Sequence, residues 1–319
     1  MNMKNLSGIS RFATLAICIS TLVMGACANK EKKAGKTHQI GVSMLSLQSE
    51  FVVNVKDAME QAAMGDSVEL IIVDAERNAD KQVQQVETFI ARGVDAIILN
   101  PCEVDASSPA VDRARKAGIP IVNVNSETRS EPDAFVGSDD EESAEIALGH
   151  LAKLMGGNGN LLIIEGYIGQ AAQIKRSAGA ARILKDHPGI TVLATQSAQW
   201  DRAKAMSLME NWIQVYGGRI NGVFAQNDEM GMGALQALEQ AGLKNKVPVI
   251  SIDAIADALK AVKEKRLDAT VYQDAKGQGS GAVKAALSLI RTGKVDGKKV
   301  MIPFQLVTPS NVDSFMTAR

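Results

Sequence analysis

Amide and carboxylate side chains follow six short apolar runs, at the point where each run ends. They are Asn100, Asn125, Glu165, Asn227, Asp253 and Gln273. Such groups donate or accept hydrogen bonds in pairs, a chemistry that suits the adjacent hydroxyls of an uncharged polyol. Strand-end Asn and Asp also cap helices, so the indication comes from the whole set and not from any single member.

Groups for catalysis are not arranged in a recognisable pattern. The three histidines, at positions 38, 150 and 187, do not follow apolar runs, and there is no Gly-x-Ser-x-Gly elbow. Gly277 to Gly281 lacks both the Lys-Ser/Thr of a phosphate-binding loop and the full dinucleotide spacing. We interpret that segment as a flexible helix entry. The sequence therefore predicts a protein that is not an enzyme and has no cofactor.

Two further features have simple structural interpretations. The acidic run from Ser138 to Glu142 lacks the alternating oxygen spacing of a calcium loop. We expect Ser138 or Asp139 to cap a helix there, with no metal bound. Cys102 has no catalytic context, and we expect a packed thiol.

The elements that must position these groups alternate along the chain. Short runs rich in Val and Ile are typical of parallel strands covered on both faces. The predicted strands are Ile40–Leu45, Leu70–Val73, Ala96–Leu99, Ile119–Val124, Leu161–Ile164, Gly222–Ala225, Val247–Ile252 and Ala269–Tyr272. The predicted helices are Val52–Ala63, Asp80–Arg92, Ser107–Ala117, Glu142–Met155, Arg202–Val215 and Met230–Ala241. This repetition predicts an α/β fold with two doubly wound lobes.

Composition agrees with two globular domains. The chain has 319 residues, of which 46% are hydrophobic, and a net charge of −1. Nucleic-acid-binding proteins usually carry a strong basic excess, so the charge excludes that class of partner.

The N-terminus has the features of an export signal. Lys4 and Arg11 precede an apolar run from Phe12 to Met24, which is short for a membrane span. The run ends in Gly25-Ala26-Cys27, which resembles the lipobox of bacterial lipoproteins. We therefore expect residues 1–26 to be a signal peptide, Cys27 to be lipidated, and residues 27–38 to be a flexible tether.

Several segments together resemble the periplasmic sugar-binding proteins of the ribose and galactose class, the type I solute-binding fold that serves ABC importers. The most specific is Val223 to Met230 with Gly233-Ala234-Leu235, supported by Ile98 to Pro101 and Trp200-Asp201-Arg202. The resemblance covers residues 40–308. It implies a monomer with two lobes, 39–138 plus 274–303 and 139–273 plus 304–319, joined by three crossings near Ser138, Gln273 and Pro303.

The resemblance also implies a ligand site. Its stacking rings would be Phe51 and Trp200. Its polar groups would be Asn100, Asn125, Asn227, Asp253 and Gln273. Trp212 is interpreted as ordinary core packing.

The sequence departs from the ribose-binding pattern at some of these positions. Asn125-Ser126 replaces an Asp-Arg pair, Ile174 replaces a second arginine, and Val52 replaces a second phenylalanine. Without those arginines we expect an uncharged monosaccharide, sugar alcohol or cyclitol such as an inositol, and not a sugar acid or phosphate. Ile174 would add an apolar wall, unless Lys175, Arg176 or a glutamine at 170 or 173 replaces the lost donor.

The expected partners are an ABC permease and, through the lipid, a bacterial membrane on its periplasmic side. Two alternatives stay open. A sensory binding protein for a chemoreceptor would have the same sequence features. A sugar-responsive regulator shares the fold but would need an N-terminal helix-turn-helix.

Overall fold

The computed structural model describes residues 37–64 and 68–316, in which the strands form two six-stranded sheets. The strands are β1 (His38–Met44), β2 (Val68–Asp74), β3 (Ala96–Leu99), β4 (Ile121–Val124), β5 (Ala134–Gly137), β6 (Gly159–Glu165), β7 (Ile190–Ser197), β8 (Gly222–Ala225), β9 (Val249–Asp253), β10 (Ala269–Tyr272), β11 (Lys299–Met301) and β12 (Gln305–Val307). The predictions for residues 1–36, including lipidation of Cys27, lie outside the described residues.

Helices connect these strands. They are α1 (Glu50–Met64), α2 (Ala79–Arg92), α3 (Ser108–Lys116), α4 (Asp140–Leu154), α5 (Ala171–Asp186), α6 (Arg202–Tyr216), α7 (Asp228–Gln240), α8 (Ala256–Lys263), α9 (Ala275–Thr292) and α10 (Val312–Met316). None of the helices in the described part combines the length and apolar character that crossing a bilayer requires.

The strand order is β11-β5-β4-β3-β1-β2 in the N-terminal sheet and β12-β10-β9-β8-β6-β7 in the C-terminal sheet. The pairings are parallel apart from β10 with β12, which is antiparallel. Valine and isoleucine side chains of the central strands are fully buried, as in Ile97, Ile98 and Val223. The predicted α/β fold with two parallel-stranded, doubly wound sheets is confirmed.

The chain passes between the two sheets three times. It does so from β5 to α4, from β10 to α9, and from β11 to β12. Helix α4 packs on the C-terminal sheet, whereas α9 packs on the N-terminal sheet. In each sheet the parallel strands end at the same edge, so the loops after β1 and β4 lie at one edge of the N-terminal sheet and those after β8 and β9 lie at one edge of the C-terminal sheet.

Local sequence accounts for where these helices begin. The Asp139 side chain accepts from the Glu141 amide and caps α4, as the acidic run predicted.

Gly279, in α9, has a packing role instead of the predicted flexibility. A Cβ on it would lie 2.3 Å from the Val55 carbonyl oxygen, so glycine is what lets α9 lie against α1.

Candidate functional site

A cavity of about 50 Å³ lies where the carboxyl ends of the two sheets meet. Its N-terminal wall comes from the loops and helices of the N-terminal sheet and consists of Leu45, Ser46, Ser49, Phe51, Val52, Arg77 and Asn125. Its C-terminal wall comes from the other sheet and consists of Gln170, Ala172, Arg176, Trp200, Asn227, Asp253 and Gln273. Six of the seven residues expected to contact a ligand are in these walls.

Asn100 is the seventh, and the structure places it behind Asn125. It is 1% exposed. Its amide nitrogen donates to the Val124 carbonyl at 3.1 Å and to Asn125 Oδ1 at 3.4 Å, and its oxygen accepts from the Leu45 amide at 3.4 Å. Asn100 therefore ties the loop after β1 to the end of β4 and orients Asn125.

Arg176, in the middle of the first half of α5, organises the C-terminal wall. Its side chain is 4% exposed and pairs with Asp140 Oδ1, at 2.9 Å from Nη2 and 3.1 Å from Nε. Nη2 also donates to Gln273 Oε1 at 3.3 Å, and Nη1 donates to the Gln226 carbonyl. Four of the five guanidinium N–H groups are thus engaged, and one N–H of Nη1 is left for the cavity.

Asp253 lies at the end of β9, with its carboxylate 4.0 Å from Arg176 Nη1. Burial raises the pKa of Asp253 well above its usual value, and the attraction of Arg176 only partly opposes this. Neighbouring carboxylates, Asp228 first among them, raise the pKa further. The Asp253 carboxyl group is therefore poorly solvated, and a hydrogen bond from a ligand would replace part of the solvation that burial removes.

Asn227 is both a helix cap and a member of the wall. Its Oδ1 accepts from the Met230 amide at 3.0 Å, at the start of α7. Because that amide requires an acceptor, the oxygen is fixed toward the helix, and the Asn227 NH₂ group is the part that a ligand can meet.

Asp228, next to it, is buried among protein donors instead. Its carboxylate accepts from the Thr270 hydroxyl at 2.7 Å, from the Ile255 amide at 2.9 Å and from the Ser251 hydroxyl. Burial raises its pKa, and these hydrogen bonds oppose the rise. Asp228 therefore fixes the loop that follows Asp253 at the end of β9.

The aromatic side chains of the cavity are Phe51 and Trp200, which are 6% and 8% exposed. Trp200 packs so closely on Gly166 that a Cβ there would be 1.9 Å from the indole ring. Its Nε1 donates to Gln170 Oε1 at 2.5 Å, and the guanidinium carbon of Arg176 is 5.7 Å from a ring centroid. The ring is therefore held on several sides before any ligand arrives.

Backbone strain is concentrated at the cavity. Arg77, Asn125, Trp200 and Asp253 have φ angles of 61°, 63°, 59° and 132°. Positive φ is uncommon for residues other than glycine, and such strain tends to cluster at ligand sites.

Comparison with known proteins shows which family shares this architecture. A family model described as a periplasmic binding protein domain matches residues 40–294. An ABC transporter solute-binding protein from Bacillus halodurans, solved with bound myo-inositol, is 41% identical, with a TM-score of 0.84 over 88% of this chain and 97% of that one. The xylitol-binding protein of Mycolicibacterium smegmatis is 36% identical over 92% of this chain and 83% of its own length. The ribose import binding protein of Bacillus subtilis is 32% identical over 94% and 99%.

This chain belongs to the periplasmic binding protein family. These relatives are solute-binding proteins and not enzymes, and the prediction that the chain is not an enzyme is confirmed on that ground. Residues 37–64 and 68–316 contain no cluster of three or more histidine, cysteine or carboxylate side chains placed to hold a metal ion.

At the position of the second family arginine, the structure of this periplasmic binding protein has the alternative that the sequence left open. Arg176 and Gln170 line the cavity in place of an apolar wall, and Arg77, which the sequence did not indicate, lines it as well. Ile174 does not add an apolar wall, because it is not among the lining residues of the cavity and is 48% exposed. Ser126 is buried beside the site, and its hydroxyl has no partner among the described residues.

Two side-chain interpretations are confirmed. Trp212 packs in the core, from the middle of α6. Cys102 is buried, with its sulfur 3.8 Å from the Leu45 carbonyl oxygen. Burial raises the pKa of the Cys102 thiol to about 12, which keeps it protonated and unreactive.

Proposed function

We propose that this protein captures a neutral cyclitol, sugar alcohol or monosaccharide between its two sheets and delivers it to an ABC importer. The observation that carries the proposal is the cavity itself, in which Asn125, Asn227, Asp253 and Gln273 share the walls with two aromatic rings. Aromatic faces pack on the C–H groups of such a ligand while amides pair with its hydroxyls. The myo-inositol and xylitol ligands of its relatives are of this class.

A neutral ligand is favoured even though Arg176 lines the cavity from the C-terminal wall. The charge of Arg176 is already met by Asp140 and lies close to Asp253, so little of it is available to an anion. A carboxylate ligand would also have to approach Asp253. We therefore place sugar acids and sugar phosphates below neutral polyols.

Contacts between the two sheets support capture by closure. Ala256, at the start of α8, donates its amide to the Glu50 carboxylate at 2.9 Å, and the Val104 amide donates to the Gly169 carbonyl at 3.0 Å. We assign residues 39–138 plus 274–303 to one lobe and 139–273 plus 304–319 to the other. In this proposal the lobes rotate about the three crossings, and the closed form docks on the permease as a monomer.

A ligand screen tests the proposal. Thermal unfolding and calorimetry would compare myo-inositol, xylitol and ribose with glucuronate and glucose 6-phosphate. We expect the neutral polyols to raise the unfolding temperature and to bind, with ribose among the weaker ligands. Stabilisation by the two anions and not by the neutral compounds would overturn the assignment.

We also propose that Cys27 carries a lipid anchor and that residues 1–26 are removed on export, leaving 27–38 as a tether. Support comes from the Gly25-Ala26-Cys27 junction. Stable anchoring requires more than one acyl chain. Cys27→Ala should therefore release the protein from the membrane fraction. Finding wild-type protein entirely soluble, with no acyl mass on Cys27, would contradict this.

A further inference from the structure

Arg77 reaches the cavity from a strained turn between β2 and α2. Glu76 and Arg77 have φ angles of 54° and 61°, two successive residues in the left-handed region. Asp74 holds the turn by accepting from the Glu76 amide at 2.7 Å and the Leu47 amide at 3.3 Å, while the Arg77 amide donates to the Leu45 carbonyl at 2.6 Å. A backbone held in this unfavourable conformation is typical of a functional position.

The side chains beside Arg77 in this turn pair elsewhere and leave its Nε without an acceptor in the described part of the chain. Glu76 pairs with Lys81 at 2.8 Å, and Asn78 caps α2 through the Lys81 amide. Arg77 lines the cavity, and its Nε is buried with no acceptor in the part of the chain that the structure describes. Arg176, by contrast, has four of its five N–H groups engaged. A buried, unpaired donor is costly unless something else supplies the acceptor.

The sheet order fixes which end of the cavity Arg77 serves. Strand β2 is the edge strand farthest from β5 and β11, where two of the crossings leave the N-terminal sheet. Gln273 lies at the other end, in the crossing between β10 and α9. Arg77 and Gln273 therefore face a ligand from opposite ends.

We propose that Arg77 is a specificity-determining residue, whose guanidinium donates to two adjacent hydroxyl oxygens at the end of the ligand farthest from the crossings. This rests on the proposed function. The guanidinium holds its N–H donors in one plane and can donate to two oxygens on neighbouring carbons, so the proposed ligand class is a polyol or cyclitol with vicinal hydroxyls at that end. A ligand that lacks one of those hydroxyls leaves the donor unpaired and binds more weakly.

Calorimetry with myo-inositol and its monodeoxy analogues, the quercitols, tests this. The variants are Arg77→Met, which removes the donors, and Arg77→Lys, which keeps the charge without the fork. Glu76→Gln is the matched control in the same turn. We expect Arg77→Met to weaken myo-inositol binding about tenfold to hundredfold, Arg77→Lys to recover part of the loss, and Glu76→Gln to bind as wild type. At least one quercitol should lose less affinity than myo-inositol does on Arg77→Met, because one of the two hydroxyls that Arg77 contacts is already missing.

The outcomes separate this inference from the proposed function. Wild-type protein that binds no polyol would overturn both. Polyol binding that Asp253→Asn weakens and Arg77→Met leaves unchanged, at unchanged unfolding temperature, would overturn the role of Arg77 alone. A larger loss in Arg77→Met for glucuronate than for myo-inositol would show that Arg77 contacts a carboxylate, and would overturn the ligand class.

Discussion

The two walls of the cavity are built in opposite ways. The C-terminal wall is a network of buried polar side chains that are bonded to one another, with Arg176 joined to Asp140 and Gln273, and Trp200 joined to Gln170. The N-terminal wall combines three apolar side chains, Leu45, Phe51 and Val52, with four polar ones, and the Nε of Arg77 has no hydrogen-bond partner among the residues that the structure describes.

Because of this difference, we expect the two walls to contribute to different properties of binding. Side chains that are already positioned by their neighbours lose little freedom when a ligand arrives, so most affinity should come from the C-terminal wall. A donor without a partner contributes only when a suitable acceptor is present, so the N-terminal wall should act on selectivity. Substitutions in the two walls should therefore have different consequences.

The largest expected effect is on stability, from Arg176→Met in the C-terminal wall. Asp140 would remain buried without its partner, which typically costs about 3–5 kcal/mol of unfolding free energy. Arg182→Met is the matched control, because Arg182 lies in the same helix and pairs with Glu141 and Glu145 at 58% side-chain exposure. Exposed pairs contribute about 0–1 kcal/mol. Equal losses for the two variants in urea unfolding would mean that the network is not a source of stability.

Asp253→Asn should mainly change affinity. The variant keeps the shape of the side chain but replaces one carboxyl oxygen with an amide nitrogen, so we expect a loss of about 1–3 kcal/mol, or about tenfold to hundredfold in Kd, for the best ligand of the screen. Asp257→Asn, on the exposed side of α8, should bind as wild type. Unchanged affinity of Asp253→Asn by calorimetry would place the ligand elsewhere.

The same residue predicts a pH dependence for the unliganded protein. Because burial raises the pKa of Asp253, the folded state holds its proton over a range in which the unfolded state, with a pKa of about 3.9, has released it. Stability then falls as pH rises through that range, by at most about 1.4 kcal/mol per pH unit for this group. Asp253→Asn cannot titrate, so it should become the more stable protein as pH increases. If the difference in unfolding free energy between Asp253→Asn and wild type stays constant from acid to neutral pH, this prediction is wrong.

Much of the fold could be predicted from the sequence, because buried parallel strands are continuously apolar. The bounds of β3, β8 and β10 are those predicted. Strands β5, β7, β11 and β12 were not predicted. Strand β7 is an edge strand with many exposed positions, and β11 and β12 have three residues each. Their pairing depends on where the chain crosses between sheets, which local pattern does not report.

The candidate site could be predicted only where its residues follow strands. Asn125, Asn227, Asp253 and Gln273 do so and line the cavity. Arg176 projects from within a helix and Arg77 from a turn, so strand ends gave no signal for either. Arg176 pairs with Asp140, which is 36 residues away in sequence, and only tertiary packing brings the two side chains together.

The smallest expected effect is that of Trp200→Phe. This variant tests whether the affinity of the C-terminal wall comes from its aromatic ring or from its polar network. Phenylalanine keeps an aromatic face but cannot donate to Gln170, so we expect an affinity loss of about 0.5–1.5 kcal/mol. Ligand should change tryptophan fluorescence in wild type and in Trp212→Phe, but not in Trp200→Phe, because Trp212 is packed in the core away from the cavity. A fluorescence change that persists in Trp200→Phe would mean that Trp212 reports ligand binding, through closure of the two lobes. An affinity loss larger than that of Asp253→Asn would mean that ring contacts, and not the bonded network, supply most of the affinity of this wall.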